Sequence, residues 1–281
     1  MPRPLAHATR LFSFLSFLAL ASSLSAQDEP PLGFGNVAEV TYVMTNGNAT
    51  SSTLGIKNTA THHWTRSSFQ LAVGAVRAES GITTRVATGT SEDFTITEET
   101  VTEKTAESYF AKARYDRMLG DAAFLFGGAG WDRNTFAGIQ NRYAMVAGGG
   151  RTWFEDDARR LKTDLGATYT IQEDVVEVPG AEDTFLGARA TLDYVRTLTE
   201  TTSYTSLLVV DENFEDTGDL RADWTNSISV TMSERLALKA SYQLLFDNLP
   251  AVTSVPLGEG SVQVPLEKVD GALSIAVVVD F

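Results

Sequence analysis

Few side chains in this sequence could do chemistry. Its 281 residues hold no cysteine and three histidines, His7, His62 and His63. Thiolate catalysis and a disulfide framework are therefore excluded. His62-His63-Trp64 is the histidine cluster of interest. Neighbouring residues of an extended chain point to opposite faces, so the pair cannot share one metal ion without a turn between them. No carboxylate spacing nearby completes a zinc site. Ser67 and Ser68 follow closely, but a serine hydrolase also needs an Asp or Asn to orient its histidine, and the sequence does not place one. The expectation is a protein that is not an enzyme, with no catalytic residue, no metal site and no cofactor. His62 to Arg66 then reads as a short turn with Trp64 at an interface.

The charged residues say more. Lys57, Lys112, Arg114, Lys162, Arg189, Arg221 and Lys239 occur on one face of alternating segments. Glu39, Asp116, Asp164, Asp193, Asp223, Asp247 and Asp270 share that face, seven acids against seven bases. A balanced set of this kind can pair across neighbouring strands and line an enclosed, polar interior. The net charge of −14 must then sit mainly elsewhere. Acids gather at Glu92, Asp93, Glu98 and Glu99, at Asp174, Glu177, Glu182 and Asp183, and along Asp211, Glu212, Glu215, Asp216 and Asp219. These read as solvated, mutually repelling loops, able to bridge through divalent cations to anionic lipopolysaccharide. The run from Asp211 to Asp219 lacks the glycine that an EF-hand loop has at its sixth position, where Asp216 stands. An acidic chain of this kind excludes nucleic acid as a partner.

Alternation of period two positions these charges. It begins at Val37 and returns in segments of about ten residues to the C-terminus, each closed by turn residues. Val37 to Thr45 leads through Asn46-Gly47-Asn48 into Ser51 to Thr61, a hairpin signature. Residues 80 to 103 lose the pattern and read as a long loop. Phe124 and Phe126 alternate, but Gly127, Gly128 and Gly130 blur their register. The last thirteen residues, VDGALSIAVVVDF, are the clearest strand: Val269, Leu273, Ile275, Val277 and Val279 lie on one face, Asp270 on the other. The count is about twelve strands. Short connections near His62 to Arg66, Met118 to Gly120, Glu155 to Ala158, Leu198 to Thr201 and Ser233 to Glu234 alternate with longer ones. An even number of antiparallel strands with short turns on one side predicts an all-β, transmembrane antiparallel barrel, with both termini at the short-turn, periplasmic side. Tyr109, Tyr115, Trp153, Tyr194 and Phe281 stand at strand ends as membrane-interface aromatics. A soluble β-domain would carry the same string read inside out. It seldom needs so many strands, or aromatics bordering its apolar face.

The N-terminus sets the compartment. Arg3 and Arg10 flank the start of an apolar run from Leu11 to Ala21, and small residues lead to Ala26 before Gln27-Asp28-Glu29. Residues 1–26 read as a secretory signal peptide, since eleven apolar residues are too few for a membrane-spanning helix. Cleavage after Ala26 removes Arg3 and Arg10 and takes the charge from −14 to −16. Residues 27–36 read as a periplasmic lead-in and residues 37–281 as the barrel, placed in the outer membrane of a Gram-negative envelope.

Gly47-Asn48-Ala49-Thr50 in the first hairpin, Tyr115-Asp116 and the closing strand ending in Phe281 together resemble the family called domain of unknown function 481. Some of its members are called putative salt-induced outer-membrane proteins. The family more often has Gly-Asn-Thr where Ala49 departs. The resemblance spans residues 37–281 and implies an outer-membrane barrel, with no activity or catalytic residue to carry over. A C-terminal aromatic strand also resembles the signal by which such barrels engage their assembly machinery. Two functions are compatible with these features: a narrow passive channel for ions or small solutes, made cation-preferring by an acidic mouth, or a non-conducting structural or stress-related wall.

Overall fold

The computed structural model describes residues 32–45, 50–89, 94–177, 183–257 and 260–281. The segments expected to be a signal peptide (residues 1–26), the first part of the lead-in and the Asn46-Gly47-Asn48 turn lie outside these residues.

Fourteen strands follow in chain order: β1 Gly33–Thr45, β2 Thr50–Trp64, β3 Ser67–Gly89, β4 Phe94–Met118, β5 Ala123–Asn134, β6 Ile139–Asp156 and β7 Arg159–Asp174, then β8 Thr184–Thr197, β9 Thr202–Asn213, β10 Leu220–Ser233, β11 Leu236–Asp247, β12 Val252–Leu257, β13 Gly260–Pro265 and β14 Val269–Asp280. All but β12 and β13 pair antiparallel with their neighbours and close into one twelve-stranded barrel, with β14 between β1 and β11. β12 and β13 form a separate hairpin in the connection between β11 and β14. The twelve-strand expectation for the barrel holds, and this hairpin is an addition to it. β1 starts at Gly33, so the lead-in ends sooner than Asn36.

A closed sheet pairs every backbone donor internally, which a strand inside hydrocarbon requires. The side chains sort accordingly. Leu54, Ile56, Leu71, Val73, Leu125, Met145, Leu165, Leu186, Leu192, Ile228, Leu238, Leu273, Ile275 and Val277 are exposed on the outer face. Exposed Tyr143 and Trp153 bound this belt on β6. Ten residues of strand at roughly 3.3 Å each, tilted roughly 40°, give a belt about 25 Å high, the height of a membrane-barrel apolar band. Trp64 stacks on His62 with centroids 4.2 Å apart and lies 6.5 Å from Tyr115, on the short-turn side. Tyr194 meets Tyr204 edge-on at the same end.

The termini and the short turns between β2 and β3, β4 and β5, β6 and β7, β8 and β9, and β10 and β11 share one end. At the other end, of the loop expected over residues 80–103, residues 80–89 and 94–103 are instead strand. β3 and β4 remain paired out to Gly89 opposite Phe94, well beyond the β4–β5 pairing, which stops at Ser108 opposite Asn134. Threonine, valine and isoleucine dominate this arm (Thr83, Thr84, Val86, Ile96, Thr97, Val101). β-branched residues favour extended backbone, while an arm with water on both faces has no reason to alternate.

The seam between β1 and β14 is short: Val37 to Val40 pair with Asp280 to Val277. The backbone N–H of Phe281 extends it by donating to the carbonyl of Asn36, 2.9 Å.

Candidate functional site: the barrel interior

The parity that turns apolar side chains outward turns the charges inward. Lys112, Arg114, Asp116, Lys162, Asp164, Arg189, Asp193, Arg221, Asp223, Asp247 and Asp270 all line one cavity of about 1360 Å³. Its lining runs from Ser68, Asp121 and Glu155 at the short-turn end to Phe136, Ala251 and Lys268 at the other. Glu39, Lys57 and Lys239 also point inward but stand apart, as a dry cluster with residue exposures of 4 %, 2 % and 7 %.

Charges that the sequence reading did not assign to this face also line the cavity: Arg142, Arg160, Asp132 and Asp211, with Asp121, Glu155, Glu212, Glu267 and Lys268 towards its ends. Asp211 is a correction. It belongs not to an acidic loop but to β9, where both its oxygens accept from Arg189, at 2.8 and 3.0 Å. Asp219 likewise pairs with Arg221, 3.3 Å. The signal was present: with Leu208 and Val210 outward, parity sends Asp211 inward, and with Tyr143 outward it sends Arg142 inward. With these the cavity lining carries eight bases and twelve acids, so the expected balance gives way to an acidic excess contributed mainly at the ends.

Most of these charges pair. Arg114 donates to Asp116 at 2.8 Å and to Asp164 at 2.9 Å, and lies 4.2 Å over the ring of Phe126. Arg160 donates to Asp193 at 3.0 Å. Asp223 accepts from Gln243 and Thr225 at 2.9 and 3.2 Å. Buried Phe124 and Phe126 project inward from β5, narrowing the cavity beside Arg114 and Lys162, whose Nζ is 5.2 Å from the Phe124 ring. Room for those rings comes from glycine. Gly148 and Gly150 on β6 and Gly166 on β7 approach so closely that a Cβ at Gly148 would run into the Leu165 carbonyl.

The far mouth is shaped by a short 3-10 turn at Thr135–Ala137, capped by Asn134, whose side chain accepts from Ala137 N at 3.2 Å. Gly138 closes it with φ 79°, a left-handed conformation that disfavours side chains. Any Cβ there would strike Ala251, at the foot of the β12–β13 hairpin.

His62 and His63 face opposite ways, His62 outward against Trp64 and His63 into the cavity. Register places His63 opposite Ser68 and Ser68 opposite Asp116. A Ser-His-Asp relay needs the histidine in the middle; here the serine is. No group of three metal-capable side chains occurs among the described residues. Tyr115, Trp153 and Phe281 are exposed near the short turns, Tyr194 is half-buried there, and Tyr109 lies towards the opposite end, its hydroxyl donating to Glu107 at 2.9 Å. Of the acidic loop residues, Glu92, Asp93 and Glu182 lie outside the described residues. Glu99, Glu177 and Asp183 are exposed.

A closed antiparallel sheet, apolar outside and charged within, defines an outer-membrane β-barrel. The sequence says which kind. It matches over residues 38–256 the family described as "Protein of unknown function, DUF481", and the chain belongs to that family. No curated protein matches it significantly. Similar solved structures include the translocator domain of autotransporter NalP from Neisseria meningitidis, 13% identical over 90% of each chain with a TM-score of 0.47. The COG4313 outer membrane channel from Pseudomonas putida F1 is 11% identical over 93% of this chain and 100% of that one, TM-score 0.46. A NanC porin is 8% identical over 88% and 97%, TM-score 0.45. At such identities the likeness is one of fold alone.

Proposed function

We propose that the barrel is a narrow passive channel for small hydrophilic solutes, with its termini and short turns in the periplasm and its longer connections outside the cell. The observation that carries this reading is the large charged cavity lined from one end of the barrel to the other. Spread over roughly 30 Å of hydrocarbon, about 1360 Å³ amounts to a mean section of about 45 Å², enough for a hydrated ion or a small organic molecule. Twelve strands suit so narrow a lumen, since water-filled porin channels take about sixteen. Acids on the far side, such as Glu177, Asp183 and Asp216, concentrate cations at the outer mouth. Export by the N-terminal leader, insertion through the C-terminal strand ending in Phe281 and contact with lipopolysaccharide complete the proposal. No catalytic step belongs to it.

Planar-bilayer recording on the refolded protein tests it. Discrete, reproducible steps in monovalent salt are expected; a folded barrel with no conductance at any voltage would leave a structural wall in the channel's place.

A further inference from the structure

Most bases of the interior meet a carboxylate, and Arg142 does not. Its Nε donates to the neutral side-chain oxygen of Gln172 at 2.8 Å, and no carboxylate of the described residues lies within ion-pair distance. The same Gln172 oxygen accepts from Nη1 of Arg221 at 3.2 Å. One amide therefore holds two guanidinium groups side by side. Gln172 is itself fixed from behind, donating to Asp174 at 2.8 Å. Arg221 lies 5.2 Å over the ring of Phe185. Arg142, Arg221 and Phe185 line the cavity, while Gln172 lies behind them.

Two cations on one neutral acceptor repel each other; Asp219 offsets the charge of Arg221, that of Arg142 has no such partner, and an anion on the open side completes the electrostatics. Guanidinium groups present N–H donors in a planar fork that matches the two oxygens of a carboxylate. The nearby acids do not fill the position. Asp219 lies 3.3 Å from Nε of Arg221 and makes no ion pair with Arg142, Asp211 is engaged by Arg189, Asp247 accepts from Leu249 N at 2.9 Å, and Asp132, though opposite Arg142 in register, makes no ion pair with it. The chain as a whole carries −14. A carboxylate that binds it must do so through local geometry, against the overall field.

We propose that Arg142 and Arg221, oriented by Gln172, form a subsite in the lumen for the carboxylate of a small organic acid. The inference builds on the open lumen of the channel reading and gives that channel a solute preference. Its test is made separately from conduction, by ligand-observed NMR on the refolded barrel in detergent micelles. Succinate is the probe, with neutral succinamide and sodium chloride as comparisons. Succinate contact is expected, with no succinamide contact and only weak competition by chloride. Arg142→Gln should weaken succinate binding about tenfold or more, the scale of a charge-assisted hydrogen bond. Arg142→Lys, which keeps the charge and loses the fork, should weaken it several-fold. Both variants are scored only as folded, heat-modifiable barrels, and Arg221→Gln serves if either fails to fold. Equal succinate binding by the wild type and both Arg142 variants, or displacement by chloride at equal concentration, would overturn the subsite. Conductance without Arg142-dependent succinate binding overturns the subsite and leaves the channel. Arg142-dependent binding without conductance leaves the subsite and removes the channel.

Discussion

Replacing Glu39 by glutamine should be among the most damaging single changes to this barrel. Its two carboxylate oxygens each take one ammonium, Lys57 at 3.0 Å and Lys239 at 3.1 Å. Lys57 comes from β2, Glu39 from β1 and Lys239 from β11, so the contacts reach over β14 and tie both sides of the seam. Beyond the bond from Phe281 N–H to Asn36, that seam rests on the short pairing of Val37 to Val40 with Asp280 to Val277. Glutamine preserves the shape but leaves two buried ammonium groups facing an amide. Removing one partner of a buried ion pair costs about 3–5 kcal/mol, or about two to three and a half orders of magnitude in the folding equilibrium. Urea titration of the protein in lipid vesicles, followed by heat-modifiable migration, would read the loss. The companion variant is Glu39→Leu with Lys57→Met and Lys239→Met. With the charges removed together, it should unfold within about 1 kcal/mol of the wild type or later, because apolar replacement of a buried ion cluster is often neutral or better. Two results would refute the reasoning: Glu39→Gln within about 1 kcal/mol of wild type, or the triple variant as unstable as the single one.

Gly148→Ala should cost about 1–3 kcal/mol in the same titration, the usual range for overpacking, whereas Gly127→Ala, whose nearest heavy atom would be Val146 O at 4.0 Å, should be nearly silent. Deleting Phe281 removes an exposed side chain and the bond from its N–H to Asn36; outer-membrane levels should fall far more than the urea midpoint of whatever protein assembles, and unchanged levels would defeat the insertion role. Asp156 accepts from Ala158 N and Arg159 N, both at 3.0 Å, and these bonds hold its carboxyl below the ordinary carboxylate range. A lowered folded-state pKa stabilises above the ordinary value and is lost as pH falls through the lowered one. Asp156→Asn should therefore lower the urea midpoint at pH 7, with the gap to wild type narrowing in acid; a gap independent of pH would count against the turn assignment.

Inside the membrane, where one face meets lipid and the other the lumen, alternation reports facing residue by residue. That is why Lys112, Arg114 and Asp116 could be set apart from Ala113 and Tyr115 in the sequence. Where both faces meet the same solvent, alternation carries no information. The β3–β4 arm past Arg77 is such a place, and its strand character shows only in its threonines and valines. Glycine hides register in another way. Gly128 and Gly130 face inward, but with no side chain they give no sign of it, and Asp132 beyond them went unassigned. Partner choice is not legible from parity at all. The Glu39 cluster joins residues 200 positions apart, and only closure of the sheet brings them together.

The interior is divided between two kinds of inward face. Away from the far mouth, the inward positions of β10, β11 and β14 include small, buried side chains: Ser227, Ser229, Ala237, Ala272 and Ala276. On β4 and β6 to β8 they include Lys112, Arg114, Arg142, Lys162 and Arg189, which border open space. In a round, water-filled lumen the smallest side chains would leave the most room and be the most accessible. Their burial means that this part of the wall is packed against what faces it, so the section is not round. The packed part contains the seam and the Glu39 cluster, and the open part contains Arg142 on β6 and, at the opposite end of β10, Arg221. Closing the barrel and offering a path through it thus fall to different parts of the wall. Changes at Glu39 should accordingly act on assembly and stability, and changes at Arg142 on what the lumen holds.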